Sequence, residues 1–332
     1  SGADLTRLTT HRPTRRRPTG PGTSAHGTSG RSCVELLQQL VNGLTLGSLY
    51  ALIAVGYTVV YGIVQLINFA HGEVFMIGAF GALTTYIVLF KDTTAWWVLI
   101  LMILGGMVAA VLTAVLMERV AYRPLRHAPR LAPLITAIGI SIFLQEVVRL
   151  YYGMIPGLPD AKQNIPFPAV EGFTGTPFVL GGVTFQRPAL FTMGALVVCA
   201  AFLWWFINRT RQGRAMQAVS QDPDTARLMG IDVDKVIVIA FAVGAALAAI
   251  AGVAQGLQNG NIDFRMGFLA GLKAFTAAVL GGIGNIAGAV VGGLTLGVVE
   301  AIGIYFNAGP WKDVVAFALL ILVLVFRPQG IM

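Results

Sequence analysis

WWVLILMILGGMVAAVLTAVLME, residues 96–118, contains no Asp, Glu, Lys or Arg before its last residue, Glu118. A bilayer core about 30 Å thick takes roughly 20 such residues wound as an α-helix, so this stretch reads as a membrane span. Working outward, comparable apolar runs cover about 36–62, 66–90, 131–152, 188–207, 236–257, 269–306 and 313–326. The run 269–306 is long enough for two passes, which gives about eight or nine crossings in all. The expected fold class is all-α, a polytopic transmembrane helical bundle with broken or re-entrant helices.

Composition agrees. Of 332 residues, 56% are hydrophobic and 11% charged, with a mean hydropathy of +0.75, where a soluble domain carries roughly 25% charged residues. This excludes an ordinary soluble enzyme. The 40 glycines fit close packing of membrane helices, because small residues let backbones approach where lipid offers no hydrophobic driving force. Cys33 and Cys199 lie too far apart in sequence to suggest a disulfide framework or a metal site. Much of the net charge of +8 comes from Arg7, Arg12, Arg15, Arg16, Arg17 and Arg31. Basic clusters next to spans are topology signals or lipid contacts, so membrane lipid is an expected partner and nucleic acid is not.

The first 35 residues are rich in Thr, Pro, Gly, Ser and Arg and read as a disordered basic extension, with the transmembrane domain following over 36–332. Arg119, Arg123, Arg126 and Arg130 follow the third run, and Arg209, Arg211, Arg214, Arg227 and Lys235 follow the fifth. Both clusters should face the cytoplasm. The proline-bearing loop 153–187, with Lys162 and Arg187, should face outward, and Arg327 should return to the inside. Two passes before Phe90 put the Arg-rich tail outside, against the same tendency. A re-entrant or split helix near Asn68 offers one way to reconcile them, and the N-terminal side stays open at this stage.

Asn68, His71, Gly72 and Glu73 form a polar cluster between apolar runs. Lipid exposure of such groups is costly, so they should face protein or a cavity, as an interhelical contact or as the ends of two half-helices aimed at a zwitterionic substrate. His71 and Glu73 also invite a metal, but the histidines and cysteines needed to complete a site are not near in sequence. No catalytic cluster is evident. A second stretch, 208–235, contains Gly213, expected to open a short amphipathic helix, and Asp222-Pro223, with N-cap and first-turn chemistry for another helix ending at Gly230. In a third, Gly281, Gly282, Gly284 and Asn285 read as a break in a membrane helix, since the strand and downstream acid of a dinucleotide site are missing. The string GLTLG occurs at 43–47 and again at 293–297, a hint of internal duplication.

Four stretches together, Asn42-to-Leu52, Leu66-to-Glu73, Gly213-to-Asp232 and Gly271-to-Asn285, resemble the LivH branch of the branched-chain amino acid ABC transporter permeases, over about residues 36–330. The resemblance implies a multi-pass subunit of the bacterial cytoplasmic (inner) membrane. It implies pairing with a second, LivM-like permease, two cytoplasmic ABC ATPases and an extracytoplasmic substrate-binding protein. It also makes Gly213, Arg214, Ala215, Met216, Asp222, Pro223, Ala226 and Gly230 the segment that docks on the ATPase. The chain has no Gly-x-x-x-x-Gly-Lys-Ser/Thr phosphate loop, so ATP and Mg are expected on partner subunits and no cofactor on this one. Two rivals remain: an ion-coupled secondary transporter of small amino acids or amides such as urea, using Glu73 and Glu300, and a membrane-embedded enzyme.

Overall fold

The computed structural model describes residues 28–65, 68–91, 93–126, 128–129, 131–175, 177–180, 182–306, 311–327 and 330–331. Seven helices are long and apolar enough to cross a membrane: α1 (Thr28–Val64), α2 (His71–Leu89), α3 (Trp96–Met117), α4 (Leu131–Tyr151), α5 (Arg187–Arg209), α8 (Val233–Asn259) and α10 (Ile286–Tyr305). Two shorter apolar helices, α9 (Met266–Gly281) and α11 (Lys312–Phe326), complete the membrane set. Between α5 and α8 lie α6 (Arg211–Gln221) and α7 (Pro223–Leu228). The chain is a polytopic helical membrane protein, and the run 269–306 folds as two apolar helices, the short α9 and the span-length α10, joined by a turn at Gly282–Asn285.

One boundary differs from the expectation. The helix starts at Thr28, inside the stretch read as a disordered extension; residues 1–27 of that extension lie outside the described residues. Once a long apolar helix is nucleated, each added residue gains a backbone hydrogen bond at little further ordering cost, so polar residues next to a span join it.

The centre of the bundle is α1, packed on α8, α9 and α10. Its contact with α10 explains the repeated pentapeptide. Gly43 and Gly47 of the first GLTLG lie against Gly297 and Gly293 of the second, backbone to backbone, the helices running antiparallel. A Cβ on Gly297 would collide with the Gly47 backbone, and one on Gly293 with Ala51. This is the small-residue seam that membrane helices use to approach closely.

The described members of both arginine clusters lie on one face; Arg130 is outside the described residues. A five-residue π turn, Glu118–Tyr122, ends α3. Just beyond it, Arg123 and Arg126 pair with Asp234 at the start of α8, and Arg126 also reaches the fully buried Glu118. Leu125 and Arg126 share a cavity with Pro223, Asp224 and Arg227 of α7. The opposite face carries the loop after α4, with short strands β1 (Ile165–Pro166), β2 (Phe178–Leu180) and β3 (Val183–Phe185). β1 pairs with β4 (Asn261–Ile262), and β2 with β3. Ile165, Phe167, Val170 and Ile262 bury over the ends of α2, α3 and α8 as a lid.

This arrangement settles the side on which the described part of α1 starts. Gln38, near the start of α1, donates to the Thr184 carbonyl at 3.0 Å and accepts from the Thr184 amide at 2.7 Å. The first turns of α1 therefore sit on the face of loop 153–187, away from the arginine clusters, and two crossings precede Phe90. Ile331 donates to the Leu280 carbonyl, which returns the C-terminus to the arginine face, as Arg327 requires.

Candidate functional site

α1 ends at Val64, Gln65 just beyond it has a left-handed φ of 53°, and the next helix starts at His71. The break lies at depth: a Cβ on Gly56, more than two turns before the end of α1, would touch the His71 ring. A break is therefore present near Asn68, but it does not reconcile the Arg-rich tail with the inside, because α1 and α2 still make two crossings before Phe90. It is held from the arginine face by Tyr122, whose hydroxyl donates to Asn68 Oδ1 at 2.7 Å.

Around this break Asn68, His71 and Glu73 are all buried. Glu73 turns toward α4, where its Oε1 accepts from Ser141 Oγ at 2.9 Å and from Gln145 Nε2 at 2.7 Å. His71 packs against Tyr57, ring centroids 4.6 Å apart. Gly72 lies directly on Gly267 and Gly271 of α9, with no room for a side chain. Among the described residues, Tyr57 Oη, Asn68 Nδ2, His71 Nε2 and Glu73 Oε2 are buried without hydrogen-bond partners. An unsatisfied buried polar atom costs roughly 1–3 kcal/mol, and several of them lie close together here. Tyr57, Asn68 and His71 border a small cavity of about 10 Å³ whose other walls include Phe275, Ala278 and Ile283, room for about one water.

The glycine turn meets this cluster only through Ile283. Gly282 and Gly284 adopt φ of 101° and 100°, and Asn285 caps α10 by accepting the Ala287 amide at 3.0 Å. Gly281 presses against the Gly288 backbone. Gly284 and Asn285 line a separate cavity of about 460 Å³ on the arginine face, shared with Thr58, Asn208, Met216 and Gln217. The sequence candidates thus form two neighbouring polar sites, one above the turn and one below it.

The segment after α5 has the expected two-helix form. Its first helix is capped by Thr210, whose hydroxyl accepts the Gly213 amide at 3.0 Å, so Gly213 is its third residue and not its opening. The glycine is required there because a Cβ would strike the Phe206 and Ile207 carbonyls. Met216 and Val219 bury the same face of α6. Asp222 ends α6 and starts α7, accepting the amides of Asp224 at 2.9 Å and Thr225 at 3.1 Å. A bond from the Thr225 hydroxyl, helped by those two amides, holds its carboxyl below the usual carboxylate range. Gly230 closes the unit with φ of 83°. Of the eight candidates, Arg214, Asp222, Pro223 and Gly230 are exposed, Ala215 is half-buried, and Gly213, Met216 and Ala226 are buried.

Sequence reasoning passed over two features. Leu228 and Met229, 87% and 79% exposed, project at the tip of α7 on the arginine face; as ordinary apolar residues in a polar loop they gave no periodic signal. Lys273, read only as part of a glycine-rich motif, is buried and bonds Glu300 at 2.8 Å and Asp313 at 2.7 Å. With Tyr50 also donating to Glu300 at 3.0 Å, Glu300 is engaged and does not stand free as a cation ligand.

Comparison with known proteins agrees with this layout. Residues 39–324 match the family model described as branched-chain amino acid transport system / permease component. The chain is similar to the high-affinity branched-chain amino acid transport system permease protein BraD of Pseudomonas aeruginosa, 48% identical, covering 89% of this chain and 95% of that one. It is also similar to the corresponding LivH of Escherichia coli K12, 46% identical over the same shares. A probable LivH of Methanocaldococcus jannaschii is 27% identical, covering 88% of this chain and 91% of that one. The polar break, the glycine turn and the two-helix segment lie inside the matched region, and this chain belongs to the family of branched-chain amino acid transport system permease components.

Proposed function

We propose that this chain is the permease subunit of an ABC importer, forming part of the pathway by which branched-chain or related hydrophobic amino acids cross the cytoplasmic membrane. The observation that carries this reading is the α6–α7 unit. It packs on α5 and α8 through Gly213, Met216 and Ala226, and it offers Arg214, Pro223, Leu228 and Met229 to a partner on the arginine face. Exposed apolar side chains beyond the membrane belt are what a docking protein covers. The partner is a cytoplasmic ABC ATPase, one of two, which holds ATP and Mg. A second, LivM-like permease completes the pathway, and an extracytoplasmic substrate-binding protein delivers the amino acid to the opposite face.

The α6–α7 unit transmits ATPase movement as a rigid body, since a packed interface has discrete arrangements and does not deform continuously. That movement reaches the polar sites by a short route. Met216 and Gln217 share a cavity with Asn285, and Ile283 of the same turn lines the cavity beside Asn68 and His71. Asn68, His71, Gly72 and Glu73, with Gly281, Gly282, Gly284 and Asn285, line the translocation pathway, and the conformation described here is closed between them. The unpartnered atoms at Asn68 and His71 favour a polar passenger.

The test is co-purification combined with uptake. Tagged chain should recover a second permease and two ATPases, and Arg214→Glu should abolish ATP-driven leucine uptake while the protein still inserts. Normal uptake by that variant, or transport by the lone chain on an ion gradient, refutes the reading. Gly213→Trp is unsuitable as a probe, because it would break the α5–α6 corner itself.

A further inference from the structure

On the face opposite the arginine clusters, a cleft of about 500 Å³ opens among α1, α8, α9 and α11, within the roughly 300–1,000 Å³ of small-molecule sites. We infer that this cleft binds a free α-amino acid with an apolar side chain, through Lys273 and Asp313 for its two charges and Leu46, Leu49 and Leu269 for its side chain. The inference rests on the permease reading and adds to it a substrate contact on the outer side of the closed cluster.

The chemistry of the walls selects the ligand. Lys273 is buried and holds two carboxylates at once, Glu300 at 2.8 Å and Asp313 at 2.7 Å. The two contacts are unequal. Glu300 is 1% exposed and also accepts from Tyr50, so it is the fixed partner; Asp313 is 42% exposed at the cleft wall, so it is the exchangeable one. A ligand carboxylate that replaces Asp313 on Lys273 leaves Asp313 free to take an ammonium. An α-amino acid carries those two groups on one carbon, so it inserts into the Lys273–Asp313 contact without changing the net charge of the cleft. Asp263, Arg265 and Lys312 also line the cleft, and a ligand with one charge would break the Lys273–Asp313 contact while replacing only one of the two lost partners.

Two further groups point the same way. Gln255 and Gln258, on one face of α8, line the cleft, and each has a buried Oε1 without a hydrogen-bond partner among the described residues. Such oxygens accept from an ammonium. The apolar wall is on α1 and α9, and Leu269 on it is half exposed. A cation-only or anion-only ligand explains neither the mixed charges nor the apolar wall.

The test uses the full chain assembled with its partner subunits in proteoliposomes, with Cys33 and Cys199 replaced and Leu269→Cys introduced as a reporter. Labelling by a membrane-impermeant thiol reagent from the outer side is measured beside ATP-driven leucine uptake in the same vesicles. Saturating L-leucine should slow labelling by about threefold or more, the slowing that two-thirds occupancy gives. Isovalerate and isoamylamine, each with one charge, should not, and Asp313→Asn should remove the protection. Vesicles that transport leucine but show no protection overturn the cleft assignment, as does equal protection by isovalerate. Protection in vesicles that never transport upholds the cleft and counts against the importer reading.

Discussion

Lys273 and Glu300 form a salt bridge of 2.8 Å between α9 and α10 with both side chains almost entirely removed from solvent. The two positions are unequal under substitution. Lys273→Met leaves Glu300 buried with only Tyr50 and should cost about 3–5 kcal/mol, the range for stranding a buried charge. Glu300→Gln leaves Lys273 its bond to Asp313 and should cost clearly less. Thermal unfolding of purified protein in detergent orders the two, and equal losses would refute the asymmetry.

The α1–α10 seam predicts a sharp contrast among glycines. Gly297→Val or Gly293→Val pushes a side chain into the backbone of α1 and should destabilise by about 1–3 kcal/mol or more, as overpacking does. Gly139→Ala and Gly194→Ala, where a Cβ meets nothing within 4 Å, should be neutral. Monodisperse yield after extraction separates the two groups.

The tip of α7 predicts a loss of association without a loss of fold. Leu228→Ser with Met229→Ser removes two highly exposed side chains, so stability should change by no more than about 0.5 kcal/mol. If they are the apolar anchors of the ATPase interface, association should weaken by at least about tenfold, or 1.4 kcal/mol. Pull-down of the ATPases by wild-type and variant chains measures this, and undiminished recovery would place the anchors elsewhere.

The Asp222 cap predicts acid sensitivity confined to the α6–α7 corner. Because its folded pKa lies below the ordinary value, the cap contributes fully above about pH 4, the unfolded carboxylate range. The contribution fades as pH falls through the lower folded value. Amide exchange at Asp224 and Thr225 should therefore speed up under acid in the wild type beyond its intrinsic pH dependence, and Asp222→Ala should show the faster exchange already at neutral pH.

Most of the helical layout was legible because lipid imposes a length and polarity on each span that the residues must display. The runs predicted at 96–118 and 131–152 appear as helices 96–117 and 131–151. The break near Asn68 was legible for the same reason, since polar groups within an apolar run must have a purpose. Lys273 was not, because its partners Glu300 and Asp313 come from two other helices and only the fold brings them together. The side on which the described part of α1 starts needed the Gln38–Thr184 contact, a pairing between residues far apart in sequence. The GLTLG strings were visible as a repetition, but repetition alone does not tell that the two copies touch.

That contact has a consequence for how the protein is made. Ribosomes release α1 well before α10, so the glycines of α1 face lipid or other proteins of the insertion machinery until the second pentapeptide arrives. During synthesis α1 is a helix without its closest neighbour, exposing a narrow groove along its most backbone-rich side. Chains cut short before residue 293 would keep that groove open, and membrane proteases or insertion chaperones would have a direct way to tell an unfinished copy from a finished one.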